Sequence, residues 1–244
     1  MGDPSVIRLL SITASPHGRR SNTHLVHQGL LAAIREFYPH IEERTVHLAE
    51  KRIELCTGCG VCFRRENCHL HDDVADIVRE IHEAHGIIFG SPVYVMHITG
   101  LAKVFIDRLV DLTHRPTLQG KYVVVVATSA GMGAPECVTY MTQVWNSMGA
   151  AVVGSIEAQS LVPGRFLNRG LLQRRFREVG EELVRAILER REYPLSEYEQ
   201  KRLALFRGML SLPGLGEAVF TEDYRFWKRR EREEAEAAQG SGPQ

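Results

Sequence analysis

The segment 122–128, which reads YVVVVAT, constrains the fold more than any other part of this sequence. Its four consecutive valines are β-branched and favour extended backbone. A strand with one face in solvent would alternate apolar and polar residues, and this run does not alternate. Unbroken apolar strands of this kind lie in the middle of parallel sheets, covered by helices on both faces. The segment therefore predicts an α/β protein.

Apolar runs alternate with amphipathic stretches over the first 190 residues. We predict strands at 6–13, 41–48, 86–90, 122–128 and 151–156, the third ending at Ser91-Pro92. We predict helices at 22–38, 72–84, 99–112, 135–148 and 167–190, with a loop over 49–71. Strand–helix alternation implies a doubly wound parallel sheet. Five strands favour a flavodoxin-like order over the six-stranded dinucleotide-binding type.

The length of 244 residues suits one such domain with an extension. We assign 1–193 to the flavodoxin-like domain. The pattern changes after Pro194, where 194–227 reads as a helical C-terminal extension. Residues 228–244 are charged and then rich in Gly, Ser and Pro, which predicts a solvated helix end and a disordered tail.

The charge balance and the apolar runs of the sequence limit which partners and which cellular location we expect. Thirty basic residues balance thirty acidic ones, which argues against nucleic acid or a membrane surface as a partner. No apolar run approaches the roughly 18 residues of a membrane span, and the N-terminus lacks the features of a secretory signal. We expect a cytoplasmic protein whose five cysteines are ligands, catalytic groups or buried apolar residues rather than disulfides.

The loop after the first predicted strand leads directly into a helix, at the place where α/β sheets bind ligands. Helix N-termini attract phosphate through free N–H groups and partial positive charge. The candidate binding residues are Ser15, His17, Arg20, Ser21, Asn22 and Thr23, with Arg19 as an alternative cation. A simple helix cap at Ser21 or Asn22 is equally compatible with this loop. The loop has neither the P-loop pattern nor GxGxxG, so nucleoside triphosphates and dinucleotides fit poorly.

This loop resembles that of the NADPH-dependent FMN reductases and iron–sulfur flavoproteins, which are flavodoxin-like. Their phosphate loop reads Ser-Pro-Arg, a short gap, then Asn-Thr, and Ser15-Pro16 and Asn22-Thr23 match it. Here His17 replaces the usual arginine, so the resemblance leaves the phosphate-binding cation open between Arg19 and Arg20. The resemblance implies bound FMN, which NADH or NADPH reduces.

Two further segments are similar to the same group. One carries Pro92, Val93, Tyr94 and Val95 after Ser91, and is followed by Asp107-Arg108; the other carries Thr128, Ser129, Ala130 and Gly131. The resemblance implies that both approach the isoalloxazine ring. A half-buried surface aromatic is the alternative interpretation of Tyr94. Gly131-Met132-Gly133 faintly resembles a dinucleotide fingerprint, but Glu136 occupies its third glycine position.

Cys56, Cys59, Cys62 and Cys68 give the sharpest signal in the chain. Their spacing is close to the ferredoxin run C-x2-C-x2-C-x3-C, in which thiolates on a tight loop surround an iron–sulfur cube. Structural zinc sites usually separate two ligand pairs by about 12 residues or more, a gap that is missing here. Zinc, with His69 or His71 as a ligand, and a metal-free loop remain alternatives.

The iron–sulfur flavoproteins have a similar compact spacing, and their cluster exchanges electrons with FMN. The combined prediction is an FMN-dependent oxidoreductase with a 4Fe–4S cluster, in which no catalytic side chain can be named. The alternatives are an electron carrier without a substrate of its own and a flavodoxin-like binding module with structural zinc. We further expect a homodimer or homotetramer, with Phe206, Phe220, Tyr224, Phe226 and Trp227 of the extension at the interface. Packing of these aromatics on their own protomer is the alternative.

Overall fold

The computed structural model describes residues 6–240, with side chains as far as 237. Its parallel strands are β1 (Ile7–Thr13), β2 (Ile41–His47), β3 (Gly86–Tyr94), β4 (Tyr122–Ser129) and β5 (Ala151–Val162). They pair in the order β2-β1-β3-β4-β5. Two short strands, His97–Ile98 and Arg165–Phe166, return antiparallel beside β3 and β5. The predicted flavodoxin-like order is confirmed.

Eight longer helices complete the described part of the chain. They are α1 (Asn22–Phe37), α2 (Val74–Glu83), α3 (Gly100–Asp107), α4 (Val110–His114), α5 (Ala134–Ser147), α6 (Arg169–Glu189), α7 (Glu197–Leu210) and α8 (Thr221–Gly240). Shorter helical turns occur at Gly18–Arg20, Leu48–Glu50, Val61–Arg64 and Gly216–Val219. None of the helices within residues 6–240 has the length and apolar character needed to cross a bilayer.

The sheet is buried between two helical layers. Alternate valines of β4 point to opposite faces, and all eight residues of that strand are buried. Leu30 of α1 and Leu183 of α6 pack on one face, with Val124 and Val126. Helices α2, α3 and α5 cover the other face, where Phe89 contacts Phe105 and Trp145. The continuous apolar run of β4 therefore reflects its central position.

Two element boundaries differ from the sequence prediction. Strand β3 does not end at Ser91-Pro92 but continues to Tyr94, because Val93 and Tyr94 pair with the short return strand. The helix predicted over 99–112 is two helices, α3 and α4. The N–H groups of Arg108 and Leu109 bond the carbonyls three residues back, which tightens the turn and breaks the α-helical pattern.

The last helix extends further than the solvated helix end predicted at the start of 228–244. Helix α8 runs to Gly240, and only 241–244 of the predicted tail lies outside the described residues. The segment is rich in Arg, Glu and Ala, which are strong helix formers. Lys228 pairs with Glu231 one turn on, and Arg207 of α7 pairs with Glu234. A solvated sequence of this composition therefore sustains a helix.

The C-terminal extension packs on its own domain. Trp227 is buried, and its indole N–H donates to the carbonyl of His114 at 3.0 Å. Asp223 is fully buried and pairs with Arg115 at 2.8 Å. Phe206 and Phe220 lie against the His114 ring, with centroid separations of 4.5 and 6.2 Å. Phe206, Phe220 and Trp227 of the extension therefore contact their own domain.

Candidate functional site

The three segments that carry the family resemblance meet at the carboxyl edge of the sheet. The Thr23 and Thr128 hydroxyls lie 2.8 Å apart and join the first segment to the third. The hydroxyl of Thr99 donates to the carbonyl of Ala14 at 2.8 Å, and the N–H of Thr99 donates to Ser91 Oγ at 3.1 Å. These bonds join the second segment to the first. Residues more than a hundred positions apart thus form one surface.

The first segment is a tight loop that opens α1. Gly18 adopts φ +53°, in the left-handed region that glycine favours, and its N–H bonds the carbonyl of Ser15. Ser21 is the N-cap and accepts the His24 N–H at 3.1 Å. A single cap leaves other N–H groups of the first helical turn without intrahelical partners. The loop therefore fits an anion such as a phosphate.

The two arginines of this loop differ in what they contact. Arg19 forms a fork with Glu50, its Nε lying 3.1 Å from Oε1. Arg20 is exposed and has no side-chain partner among the described residues. His17 is also exposed. The uncommitted charge of the loop is therefore that of Arg20.

The side chains of Asn22 and Thr23 are already engaged by the protein. The N–H of Gly164 donates to Asn22 Oδ1 at 2.8 Å, which brings the β5 return hairpin beside the loop. Thr23 is fully buried, and its hydroxyl bonds Thr128. These two residues can therefore offer an anion their backbone N–H groups more readily than their side chains.

The second segment is a strained hairpin. Val93 pairs with Ile98 and Tyr94 with His97, which leaves Val95 and Met96 as a two-residue turn. Their φ values of +47° and +65° suit such a turn, but a left-handed conformation is costly for β-branched valine. Val95 is 97% exposed and Tyr94 is 43% exposed. Strain held at an exposed apolar tip is typical of functional sites.

The third segment packs against this hairpin through Gly133. The sequence analysis considered this glycine only as part of a faint dinucleotide fingerprint. Gly133 has φ +89°, and a Cβ there would lie 2.8 Å from Val93 and 3.0 Å from the Met96 backbone. Before it, Thr128 and Ser129 are buried, whereas Ala130 and Gly131 are exposed. Gly133 was missed as a site residue because its role depends on a contact between distant segments.

Three histidines, His24, His27 and His47, lie together beneath the loop. His27 and His47 are buried, and the His47 ring lies 4.9 Å from that of half-buried His24. His27 Nδ1 bonds Ser11 Oγ at 2.8 Å, and burial lowers the pKa of His27 to about 3. Burial also lowers the pKa values of His24 and His47. The cluster arises where β1, β2 and α1 meet.

The four cysteines of the 56–68 segment line one cavity of about 480 Å³, together with residues of α3, α4 and α5. Gly58 and Gly60 both have φ +66°, which curves the loop around this cavity. Cys56 and Cys59 are exposed, whereas Cys62 and Cys68 are half-buried. All five cysteines of the chain are free thiols.

The thiols of this loop differ in their surroundings. Hydrogen bonds from the Val61 N–H and the Thr57 hydroxyl lower the pKa of Cys59, whose sulfur lies 3.5 Å from His69 Nδ1. Burial raises the pKa of Cys62 to about 12. Within residues 6–237, no three histidine, cysteine or carboxylate side chains converge as ligands of a single metal ion.

Cys137 stands apart from these four. It is fully buried in the first turn of α5, and burial raises its pKa to about 11. The structure therefore places Cys137 in the core as a small apolar side chain.

Helix α3 connects the cysteine loop to the carboxyl-edge site. Thr99 caps its N-terminus beside the second segment, and Asp107 at its other end lines the cysteine cavity. Tyr140 also lines that cavity, and its ring lies 4.8 Å from that of His97 in the hairpin. A helix of eight residues is about 12 Å long, so the two sites are neighbours.

The segments that form the two sites lie within a region of the chain that matches a known family. Residues 7–160 match the family described as NADPH-dependent FMN reductase. The chain belongs to this family. The match covers β1 to β4 and most of β5, and it includes the carboxyl-edge segments and the cysteine loop. The protein is an FMN reductase-like oxidoreductase, as its sequence predicted.

Proteins similar to this chain include iron–sulfur flavoproteins. One from Archaeoglobus fulgidus is 33% identical over 190 residues, which are 78% of this chain and 84% of that protein. Another, from Methanocaldococcus jannaschii, is 34% identical over 51% of this chain and 63% of its own length. The crystal structure of an NADH:FMN oxidoreductase shares the fold, with a TM-score of 0.52, 22% identity and coverage of 72% of this chain and 89% of that one.

Proposed function

We propose that this oxidoreductase takes electrons from NADH or NADPH and passes them through FMN and a 4Fe–4S cluster. The observation that carries the proposal is the shared helix α3, which begins at the carboxyl-edge site and ends at the cysteine cavity. A flavin at one end of this helix and a cluster at the other would lie close enough to exchange electrons. The family name and the iron–sulfur flavoprotein relatives support the same pairing.

The carboxyl-edge residues fit FMN. The loop around Ser15, Ser21 and the first turn of α1 suits one phosphate, with Arg20 as the uncommitted cation. We assign the phosphate to Ser15, His17, Arg20, Ser21, Asn22 and Thr23. The exposed ends of the second and third segments, at Tyr94-Val95 and Ala130-Gly131, suit a planar ring. We assign the isoalloxazine to Pro92, Val93, Tyr94, Val95, Thr128, Ser129, Ala130 and Gly131. A single phosphate loop favours FMN over FAD.

The cysteine loop fits an iron–sulfur cluster. All four thiols face one cavity, and two left-handed glycines curve the backbone around it. A cube needs ligands at four separate corners, and this loop supplies four thiols. Buried Arg108 and Arg115 lie beside the loop and suit a group of negative charge. We assign the cluster to Cys56, Cys59, Cys62 and Cys68.

When bound, FMN accepts two electrons as a hydride and the cluster exchanges one at a time, which would couple the two kinds of electron transfer. This chain's part is to hold the flavin phosphate, to support the ring between the hairpin and the Gly131 loop, and to keep both groups at the ends of α3. The exposure of Cys56 and Cys59 leaves the loop accessible to a partner protein. That exposure is the observation in favour of the alternative function, an electron carrier without its own substrate.

The proposal includes a homo-oligomer acting in the cytoplasm. Exposed apolar side chains surround the carboxyl edge, namely Val95, Met96, Met132, Leu161, Val162, Leu167 and Leu171. An apolar rim of this kind suits contact with a second copy. The five free cysteines agree with a reducing compartment.

Anaerobic purification, followed by cofactor analysis and steady-state kinetics, tests the function. We expect one FMN per chain, about four iron atoms per chain, and NADH or NADPH oxidation with an added acceptor. Bound cofactors without such turnover would favour the electron carrier. Zinc in place of iron, or FAD in place of FMN, would contradict the assignment.

A further inference from the structure

Arg108 lies at the end of α3, between the two ends of the cysteine loop. Its side chain is 1% exposed, and that of its partner Asp72 is fully buried. Arg108 Nη1 donates to the carbonyl of Glu54 at 2.9 Å and to Asp72 Oδ2 at 2.5 Å. Nη2 donates to Asp72 Oδ1 at 3.2 Å and to Cys68 Sγ at 3.6 Å. The guanidinium thus reaches one of the four thiols directly.

The five N–H groups of Arg108 can be counted. Nη1 uses its two on Glu54 and Asp72, and Nη2 uses one on Asp72 and one on Cys68. The Nε hydrogen is buried and has no partner within the described residues. Asp72 also accepts the N–H groups of Glu54 at 2.8 Å and Val74 at 3.1 Å, so its oxygens are fully occupied. In this ion pair, the one hydrogen-bonding group without a partner is therefore the Nε–H of Arg108.

Burial of a cation is costly unless its hydrogen bonds are satisfied. A buried guanidinium whose Nε is unpartnered and whose Nη2 lies 3.6 Å from Cys68 Sγ therefore suits an anionic group at Cys68. We propose that Arg108 tunes the cluster's reduction potential by donating a charge-assisted hydrogen bond to the Cys68 thiolate. This inference rests on the proposed function, because it needs a cluster on the four cysteines.

The physical effect follows from charge. Adding one electron makes the cluster and its thiolates more negative. The Arg108–Asp72 pair presents its positive end to the Cys68 sulfur, which stabilises the reduced form more than the oxidised one. Hydrogen bonds to cluster sulfurs are among the features that set such potentials. Arg108 is therefore a positioning and tuning residue, and it raises the potential.

Redox titration of the purified holoprotein tests the inference, with iron content measured on every sample. Because Arg108→Gln alone would leave Asp72 buried and unpaired, the main variant is Arg108→Gln with Asp72→Asn; Arg108→Lys is the conservative partner. Arg64→Gln is the control, because exposed Arg64 donates to the carbonyl of Cys59 at 3.3 Å rather than to a sulfur.

We expect full iron in the double variant and a roughly tenfold shift toward the oxidised cluster, about 59 mV for a one-electron couple. Arg108→Lys should shift less, and Arg64→Gln should match the native protein. An unchanged potential with full iron would overturn the inference alone, as would an equal shift in Arg64→Gln. Loss of iron from both Arg108 variants would also overturn it, because the arginine would then build the loop rather than tune the cluster. Native protein without iron would overturn the proposed function as well.

Discussion

The hydroxyl of Thr23, in the first turn of α1, lies 2.8 Å from the hydroxyl of Thr128, at the end of β4. Both side chains are buried, and the two residues are 105 positions apart in sequence. This bond ties the loop assigned to the flavin phosphate to the loop assigned to the ring. The geometry of the candidate site therefore depends on a polar contact inside the domain.

Removal of one of these hydroxyls should cost more stability than removal of both. Thr23→Val leaves the Thr128 hydroxyl buried without its partner, which we expect to lower the free energy of unfolding by about 1–3 kcal/mol. Thr23→Val with Thr128→Val removes both polar groups and should be closer to the native protein. Urea unfolding measures the difference. A double variant less stable than the single variant would contradict the prediction.

Arg20 and Arg19 should differ in their effect on FMN. Arg20→Gln removes the uncommitted charge of the loop, and we expect the Kd for FMN to rise by about 10- to 150-fold, since a hydrogen bond to a charged group contributes about 1.5–3 kcal/mol. Arg19→Gln is the matched control, because Arg19 is held by Glu50. Flavin fluorescence titration of deflavinated protein gives both constants. A larger effect for Arg19 would reverse the assignment.

Stability should fall below about pH 6.5 because of His27. Burial lowers its folded-state pKa to about 3, while the unfolded chain keeps the ordinary value of 6.5. Between these values only the unfolded state binds the proton, so the free energy of unfolding decreases as pH falls, by up to about 1.4 kcal/mol per pH unit. Neighbouring His24 and His47 act in the same direction.

His27→Gln tests this linkage. Urea unfolding between pH 7 and pH 4 should show that the free energy of unfolding falls less steeply with decreasing pH in the variant. The difference in slope should correspond to at most one fewer proton taken up on unfolding. Its stability at pH 7 is expected to be lower, because the Ser11 hydrogen bond changes. Identical pH slopes in the two proteins would show that His27 is not the source.

Most of the fold was accessible from the sequence, because the strand and helix periods are local. The valine run of β4 and the five-strand alternation predicted the sheet correctly. For the candidate site, the sequence predicted the separate segments but not the contacts between them. The contacts of Gly133 with the hairpin and of Arg108 with Asp72 and Cys68 join residues far apart in sequence, which no spacing rule reveals. The continuation of α8 was missed because charged helices and disordered tails have similar compositions.

The apolar rim of the carboxyl edge should mediate self-association. Val95→Asn with Met132→Gln removes two side chains that are 97% and 74% exposed. Asparagine suits the left-handed turn at 95, so the variant should fold. We expect sedimentation to show a dimer or tetramer for the native protein and a lower mass for the variant. Leu205→Gln, 77% exposed on α7, is the control. A native monomer of 27.5 kDa at micromolar concentration would contradict the prediction.

The iron content of cysteine variants tests the central claim most directly. In anaerobically purified protein, Cys62→Ser should lose most of its iron and keep its FMN, because the cluster loses a ligand while the carboxyl edge is unchanged. Cys137→Ser, which alters a buried thiol outside the loop, should keep both. Iron and flavin analysis of the native protein and the two variants gives the result. We predict about four iron atoms and one FMN per native chain; full iron in Cys62→Ser, or none in the native protein, would contradict the account.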